Sequence, residues 1–232
     1  MLTSPKKKKT KKGSKSKEDS PVSDTEPTAE DKSEMLAAML ASGSEQYMRL
    51  TGVYGDINEE KCSEALHSLF ILARTGKKLV PATDEEDSDL VEMIEPIEFV
   101  VSTYGGSANE MFAVYDTIRL IQEDGCEIHT LGLGKVMSAG VLILASGTKG
   151  KRRIGSNTRL MLHPIQGGTA GPFPHMSDDM RTMKKAQEHY IGVLSRETKL
   201  SIKEIRRIVN RRKDTYFTAH EAIEMGIADE LL

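Results

Sequence analysis

Residues 97–147 read IEFVVSTYGGSANEMFAVYDTIRLIQEDGCEIHTLGLGKVMSAGVLILASG, and the alternation within that stretch decides the fold class. IEFVVSTYGG is a buried strand running into paired glycines at 105–106. SANEMFAVYDTIRLIQEDG (107–125) opens with a capping box, Ser107-x-x-Glu110, and stops at Gly125, so it reads as a helix. CEIHTLGLGK is the next strand and MSAGVLILASG the next helix. Strands separated by helices of this length are joined by crossovers, which implies parallel pairing and an α/β layered fold.

The same theme extends in both directions. MRLTGVYG (48–55) reads as a strand ending in glycine. NEEKCSEALHSLFILARTG (58–76) carries Ala65, Leu66, Leu69, Phe70 and Ala73 at helical spacing. The acidic run TDEEDSD (83–89) is a loop-like insertion. Toward the C-terminus, TRLMLHPIQGG is a strand entering a Gly/Pro-rich loop. Two helices follow, MSDDMRTMKKAQEHYIGVLSRET and SIKEIRRIVNRR, the second with a capping box at Ser201-x-x-Glu204; a last helix starts at Thr218-x-x-Glu221.

Composition narrows the class. The 232 residues are 38% hydrophobic, enough for one sizeable core with a tail left over. A net charge of −3 provides no global field toward nucleic acid or a membrane surface. Cys62 and Cys126 are isolated, so neither a disulfide framework nor a zinc site is expected. No cofactor or metal is expected at all. No apolar run approaches the length of a bilayer span and no signal peptide is recognisable, which predicts a soluble cytoplasmic protein. Residues 1–17 carry eight lysines and no acid, whereas 18–34 carry seven acids and one lysine. Such a segment cannot bury enough surface to offset chain entropy, so residues 1–45 are expected to be a disordered charged tail before a domain at 46–232. KKKKTKK has the composition of a nucleic-acid patch but lacks interleaved aromatics, and nucleic acid is not expected as a partner.

Ligands of parallel α/β sheets sit beyond the carboxyl ends of the strands. The glycines at 105–106, Ser138 and His163 each fall at or just after such an end. Ser138 could simply cap a helix, since a serine oxygen there accepts from an orphan N–H. It could equally be a nucleophile, which needs a base and an orienting partner for that base. His67, His129, His175, His189 and His220 fall on helices, inside a strand or in a loop. His163 alone closes an apolar strand, Leu160-Met161-Leu162, and is followed by Pro164. Among the acids, Asp116, Asp178, Asp179 and Asp229 have other local explanations, while Asp214 lies between two helices in KDTYFTAHEA and can turn inward. The backbone at Gly105–Gly106 and the N–H of Ala139 are candidate oxyanion donors. VMSAG lacks the glycine two residues before serine that marks an α/β-hydrolase elbow.

These residues resemble a known family. YGGSANEMFAVYDTIRLI resembles the paired-glycine strand and helix of the Clp protease proteolytic subunit (ClpP), and GLGKVMSAGVLILASGTKGKRRIGSNTRLMLHPIQGG its serine and histidine segments. KDTYFTAHEAIEMGIADELL is similar to its closing segment and RLTGVYGDIN to its first strand, so the likeness covers about 46–232 with every landmark in order. The resemblance implies a serine peptidase with Ser138 as nucleophile, His163 as base and Asp214 as orienting acid, Gly106 and Ala139 supplying the oxyanion hole. It implies a crotonase-like superhelix of repeated β-β-α units and a projecting handle helix at about 176–199. It also implies stacked heptameric rings, an AAA+ unfoldase ATPase as partner, and unfolded polypeptides as substrates. Ser102-Thr103-Tyr104-Gly105-Gly106 stands where the family has Asn-Ser-Pro-Gly-Gly. His163 is followed directly by proline, the spacing before Asp214 is longer, and both the tail and an insertion at about 76–95 are foreign to the family. Two rival readings share the fold: a catalytically inactive ring subunit, and a crotonase-type acyl-CoA enzyme.

Overall fold

The structure, a computed structural model, describes residues 48–81, 89–211 and 213–232. The expected charged tail at 1–45 and most of the acidic run at 83–89 lie outside the described residues.

The expected α/β architecture is present. A seven-stranded sheet runs in the order β1 (Leu50–Ile57), β4 (Ile97–Gly106), β5 (Ile128–Met137), β6 (Arg153–Ile154) and β9 (Glu230–Leu231), all paired parallel. β5 changes partner halfway along its length. Leu131 and Gly132 pair with β6, whereas Lys135, Val136 and Met137 pair with β7 (Arg159–Leu162). β8 (Thr215–Phe217) then joins β7 antiparallel, an exception to the expected all-parallel pairing. The sheet therefore divides in the middle of β5, between Gly132 and Lys135, and Ser138 follows the half that pairs with β7.

Burial explains why the central elements read so clearly. In β4, Ile97, Phe99, Val100, Val101 and Thr103 are all buried, as a strand covered on both faces requires. All seven residues of α3 (Ala139–Ala145) are buried, so this helix is apolar around its whole circumference and sits inside the core. It packs with α2 (Ala108–Glu123), which packs in turn on α1 (Glu59–Thr75), and Leu69 of α1 and Ile118 of α2 belong to the same continuous buried cluster. Each fully buried leucine or isoleucine there contributes about 1.5–3 kcal/mol of transfer free energy. Gly140 is required by this closeness, because a Cβ would lie 2.4 Å from Thr103 Cγ2.

Three local features add to or correct the expectations. The insertion at about 76–95 contributes secondary structure that the sequence reading did not assign, because β2 (Lys77–Pro81) and β3 (Leu90–Ile94), which flank the acidic run, pair as a separate antiparallel two-stranded sheet with Leu79 and Leu90 exposed. His175 is not in a loop, since α4 spans Phe173–Glu197 and Pro174 occupies its first turn, where a missing N–H costs nothing. The capping box at Ser107 is half made. Ser107 Oγ accepts from the Glu110 N–H, but the Ser107 N–H is taken by the carbonyl of Ile57 in β1. The boxes at Ser201 and Thr218 are both complete and begin α5 (Ile202–Val209) and α6 (Ala219–Glu224).

α4 is fully buried only along its last turns. Tyr190, Ile191, Val193, Leu194 and Glu197 are buried, while Phe173 and Met180 in the first half are exposed. The stripe Met180, Met183, Ala186, Tyr190, Leu194 therefore passes from solvent into the core along the helix. Glu197 fixes the anchored end, accepting from Tyr115 Oη at 2.8 Å and Lys149 Nζ at 2.7 Å, while its carbonyl accepts from Arg152 Nη1 at 2.8 Å. Burial opposes ionisation of Glu197, but Lys149, Tyr115 and Arg119 outweigh it and hold its carboxyl below the ordinary range.

Candidate active site

Ser138 is the one non-glycine residue at positive φ among the described residues, with φ 54° and ψ −117°. Such a conformation costs on the order of 1–3 kcal/mol and persists only where the surroundings impose it. Here they do. Its N–H donates to the Met161 carbonyl of β7 at 2.8 Å, and its own carbonyl accepts from the Val141 N–H and from Tyr190 Oη at 3.3 Å. Burial raises the pKa of the Tyr190 phenol, so it remains a neutral donor. Ser138 occupies the N-cap position of α3, yet its Oγ makes no capping bond. The hydroxyl instead lies 2.7 Å from His163 Nε2.

The glycine pair is built against this serine. Gly105 has φ 98°, and a Cβ placed on it would fall 2.6 Å from Ser138 Cβ and 3.1 Å from Oγ. Gly106 has φ 152°, and its Cβ would fall 2.1 Å from the Ile57 carbonyl oxygen. Neither position admits a side chain. Thr103, fully buried, holds the turn from below: its Oγ1 accepts from the Gly105 N–H at 2.9 Å and donates to the Gly55 carbonyl. Thr103 is a positioning residue that sequence reasoning missed. Its position two residues before the first glycine was the only available signal. Ala139, first residue of α3, carries an N–H with no acceptor four residues back, so it is free to serve a ligand.

Ser138, Ala139, Gly106 and His163 all line one cleft of about 390 Å³. Met111, Ile165 and Tyr190 give it apolar walls, and Asp56 and Gln166 add polar groups. Tyr104, which stands where the resembled family has proline, forms one lip and carries Lys135 Nζ 4.6 Å from its ring centroid.

Asp214 is not brought to the histidine. It is exposed and makes no hydrogen bond to any described residue, while His163 Nδ1 is buried without a partner. The β7–β8 register nevertheless pairs Leu160 with Phe217, Met161 with Tyr216 and Leu162 with Thr215. One further step of that antiparallel ladder sets Asp214 across from His163, on the same face.

The competing groups have other engagements. His129 is bonded to Glu127 at 2.7 Å and His189 stacks on Phe112, with ring centroids 4.6 Å apart. His67, His175 and His220 are exposed. Asp178 pairs with Arg181 and Asp229 with Arg152, and Asp116 is exposed on α2. Burial raises both cysteine thiols, Cys62 to about 11, so neither is a thiolate nucleophile at neutral pH. Among the described residues, no three His, Cys, Asp or Glu side chains are grouped to hold a metal ion, and no helix is long and apolar enough to cross a membrane. What the arrangement can do chemically is clear. It presents a serine hydroxyl to an imidazole nitrogen beside backbone donors in one cleft.

Comparison with known proteins identifies the family of the chain. The Clp protease family model matches residues 88–232. The ATP-dependent Clp protease proteolytic subunit 2 of Chlamydia pneumoniae is 31% identical over 136 residues, 59% of this chain and 64% of that protein. The chain thus aligns with just under two thirds of that curated relative's length.

Proposed function

Because the chain belongs to the Clp protease family, we propose that it is a serine endopeptidase whose nucleophile is Ser138, with His163 as general base and Asp214 as the acid that orients it. The single observation that carries this reading is the 2.7 Å contact between Ser138 Oγ and His163 Nε2 at a strained strand-to-helix turn. In the proposed cycle His163 Nε2 takes the hydroxyl proton as Oγ attacks the scissile carbonyl. The oxyanion accepts from the N–H groups of Gly106 and Ala139, the arrangement worth most in such reactions. His163 then returns the proton to the leaving amine, and water hydrolyses the acyl-enzyme by the same route. Asp214 enters when the β7–β8 ladder extends by one residue, so that its carboxylate accepts from the His163 Nδ1–H that now lacks a partner.

Family membership supports the remaining proposals: a homo-oligomer of stacked heptameric rings, an AAA+ unfoldase ATPase as partner, unfolded polypeptides as substrates, a cytoplasmic location, and a peptidase domain at 46–232 that needs no cofactor. The exposed first half of α4 is the natural ring-to-ring contact in this reading, since the buried residues of the helix all lie toward its far end. A catalytically inactive ring subunit is the second reading, and the His163 Nδ1 left without a hydrogen-bond partner is the observation that favours it.

One experiment separates the two. The purified protein is treated with a fluorophosphonate probe and then assayed on casein and short peptides, with and without candidate ATPases, at its measured native mass. Labelling of Ser138 with peptide cleavage is expected. A protein of ring-sized mass that is neither labelled nor active overturns the peptidase reading in favour of the inactive subunit.

A further inference from the structure

Asp56 is the one acidic residue among the described residues that line the cleft beside Ser138. Its placement follows from an irregularity in the sheet. Along the β1–β4 ladder Gly55 pairs with Thr103 but Asp56 pairs with Gly105, so Tyr104 is an extra residue on β4. Bulges of this kind re-aim side chains near active sites. Without the extra residue Asp56 would lie opposite Tyr104; with it, Asp56 lies beside the glycine that touches the nucleophile. The two backbones are separated by one strand spacing, about 4.8 Å.

Asp56 is also uncommitted. It has no hydrogen-bond or ion-pair partner among the described residues. The ammonium of Lys61 donates to the Tyr54 carbonyl at 2.9 Å, and that of Lys135 lies over the Tyr104 ring, outside the cleft lining. The same cleft has apolar lining from Met111 and Ile165. Apolar lining together with a free carboxylate suits a side chain with a long aliphatic stem and a cationic head, which covers the lining with one part and meets the charge with the other. It disfavours a substrate carboxylate by like-charge repulsion.

We infer that Asp56 is a specificity-determining residue that makes the cleft select peptides with lysine or arginine beside the scissile bond. The inference rests on the peptidase reading above. Because Asp56 is exposed, its effect on either charged side chain is of the size of a partly screened pair, about two- to fivefold in kcat/KM, and it weakens as salt shortens the Debye length.

The test uses fluorogenic peptides identical except for Arg, Leu or Glu before the scissile bond, with the wild-type protein, Asp56→Asn and Asp56→Lys. Wild type is expected to prefer Arg over Glu, and that ratio should shrink about five- to tenfold in Asp56→Asn and invert in Asp56→Lys. The wild-type Arg/Glu ratio should also fall between 50 mM and 500 mM salt, a measurement that needs no variant. An Arg/Glu ratio unchanged by Asp56→Asn and by salt overturns the inference. Fluorophosphonate labelling of Ser138 in the same samples distinguishes the two claims: labelling without Arg preference defeats the specificity role alone, and no labelling with no cleavage defeats both.

Discussion

Replacing Gly105 by alanine tests whether the strained turn at Ser138 sets reactivity. The new Cβ would fall 2.6 Å from Ser138 Cβ, whereas ordinary contact begins at 3.4 Å, so the two backbones must separate by about 0.8 Å. Gly105 also has φ 98°, a conformation that L side chains rarely adopt. Overpacking of this kind costs about 1–3 kcal/mol and left-handed backbone about 1–2 kcal/mol. Taking about 3 kcal/mol together, the melting temperature falls by roughly 6–12 °C for a domain of this size. The kinetic effect is larger than stability alone would produce, because displacing a reacting group by about 1 Å costs about 10²-fold in rate. The assay is kcat on a short fluorogenic peptide at 20 °C, below both transitions, alongside calorimetry. Gly134→Ala is the control, since φ is 67° there but a Cβ would meet nothing within 4 Å. It should lose about 1 kcal/mol from backbone strain alone and keep kcat within about twofold. If Gly105→Ala matches Gly134→Ala in both rate and melting temperature, the turn does not control the nucleophile.

Ser138→Ala should reduce peptide hydrolysis by at least about 10³-fold while leaving the melting temperature nearly unchanged, because Oγ makes no capping bond; wild-type cleavage by this variant would refute the assigned nucleophile. Met180→Glu, on the exposed half of α4, should convert a double ring to single rings by placing like charges at a self-complementary contact, and light scattering showing undiminished mass would remove α4 from that role. Of the four carboxylates among the described residues whose folded pKa values are depressed, Glu204 and Glu221 are exposed capping groups, so acid lability should trace to the partly buried pair, Asp229 and Glu197. For Asp229, burial opposes ionisation, but Arg152 more than compensates, as Lys149, Tyr115 and Arg119 do for Glu197. Their stabilisation is full above the ordinary values of 3.8 and 4.5 and is lost as pH falls through the lower folded values. Glu197→Gln should therefore cost about 2 kcal/mol at pH 7, where Lys149 is half exposed, and little at pH 2. Parallel wild-type and variant denaturation curves at both pH values would exclude this account.

Much of this protein was legible before any coordinate. The helix and strand alternation from 97 to 147, the complete capping boxes at Ser201 and Thr218, and the placement of Ser138 and His163 at strand ends follow from local patterns with local physical causes. Side-chain period, cap chemistry and glycine at turns act over a few residues, and so a sequence displays them. The hairpin of β2 and β3 was hidden because its short strands flank a long acidic run and the pairing signal lies in contacts across it. Only tertiary structure decided that Ser138 points at His163 and not into its own helix, since that depends on Met161, Tyr190 and Gly105 converging from three other elements. The same holds for β8, which pairs with β7 only as far as Leu162 and Thr215 and so stops one residue short of His163 and Asp214, and for Asp56, which a single extra residue in β4 sets beside Gly105. Register is a relation between distant segments, and no window of sequence contains it.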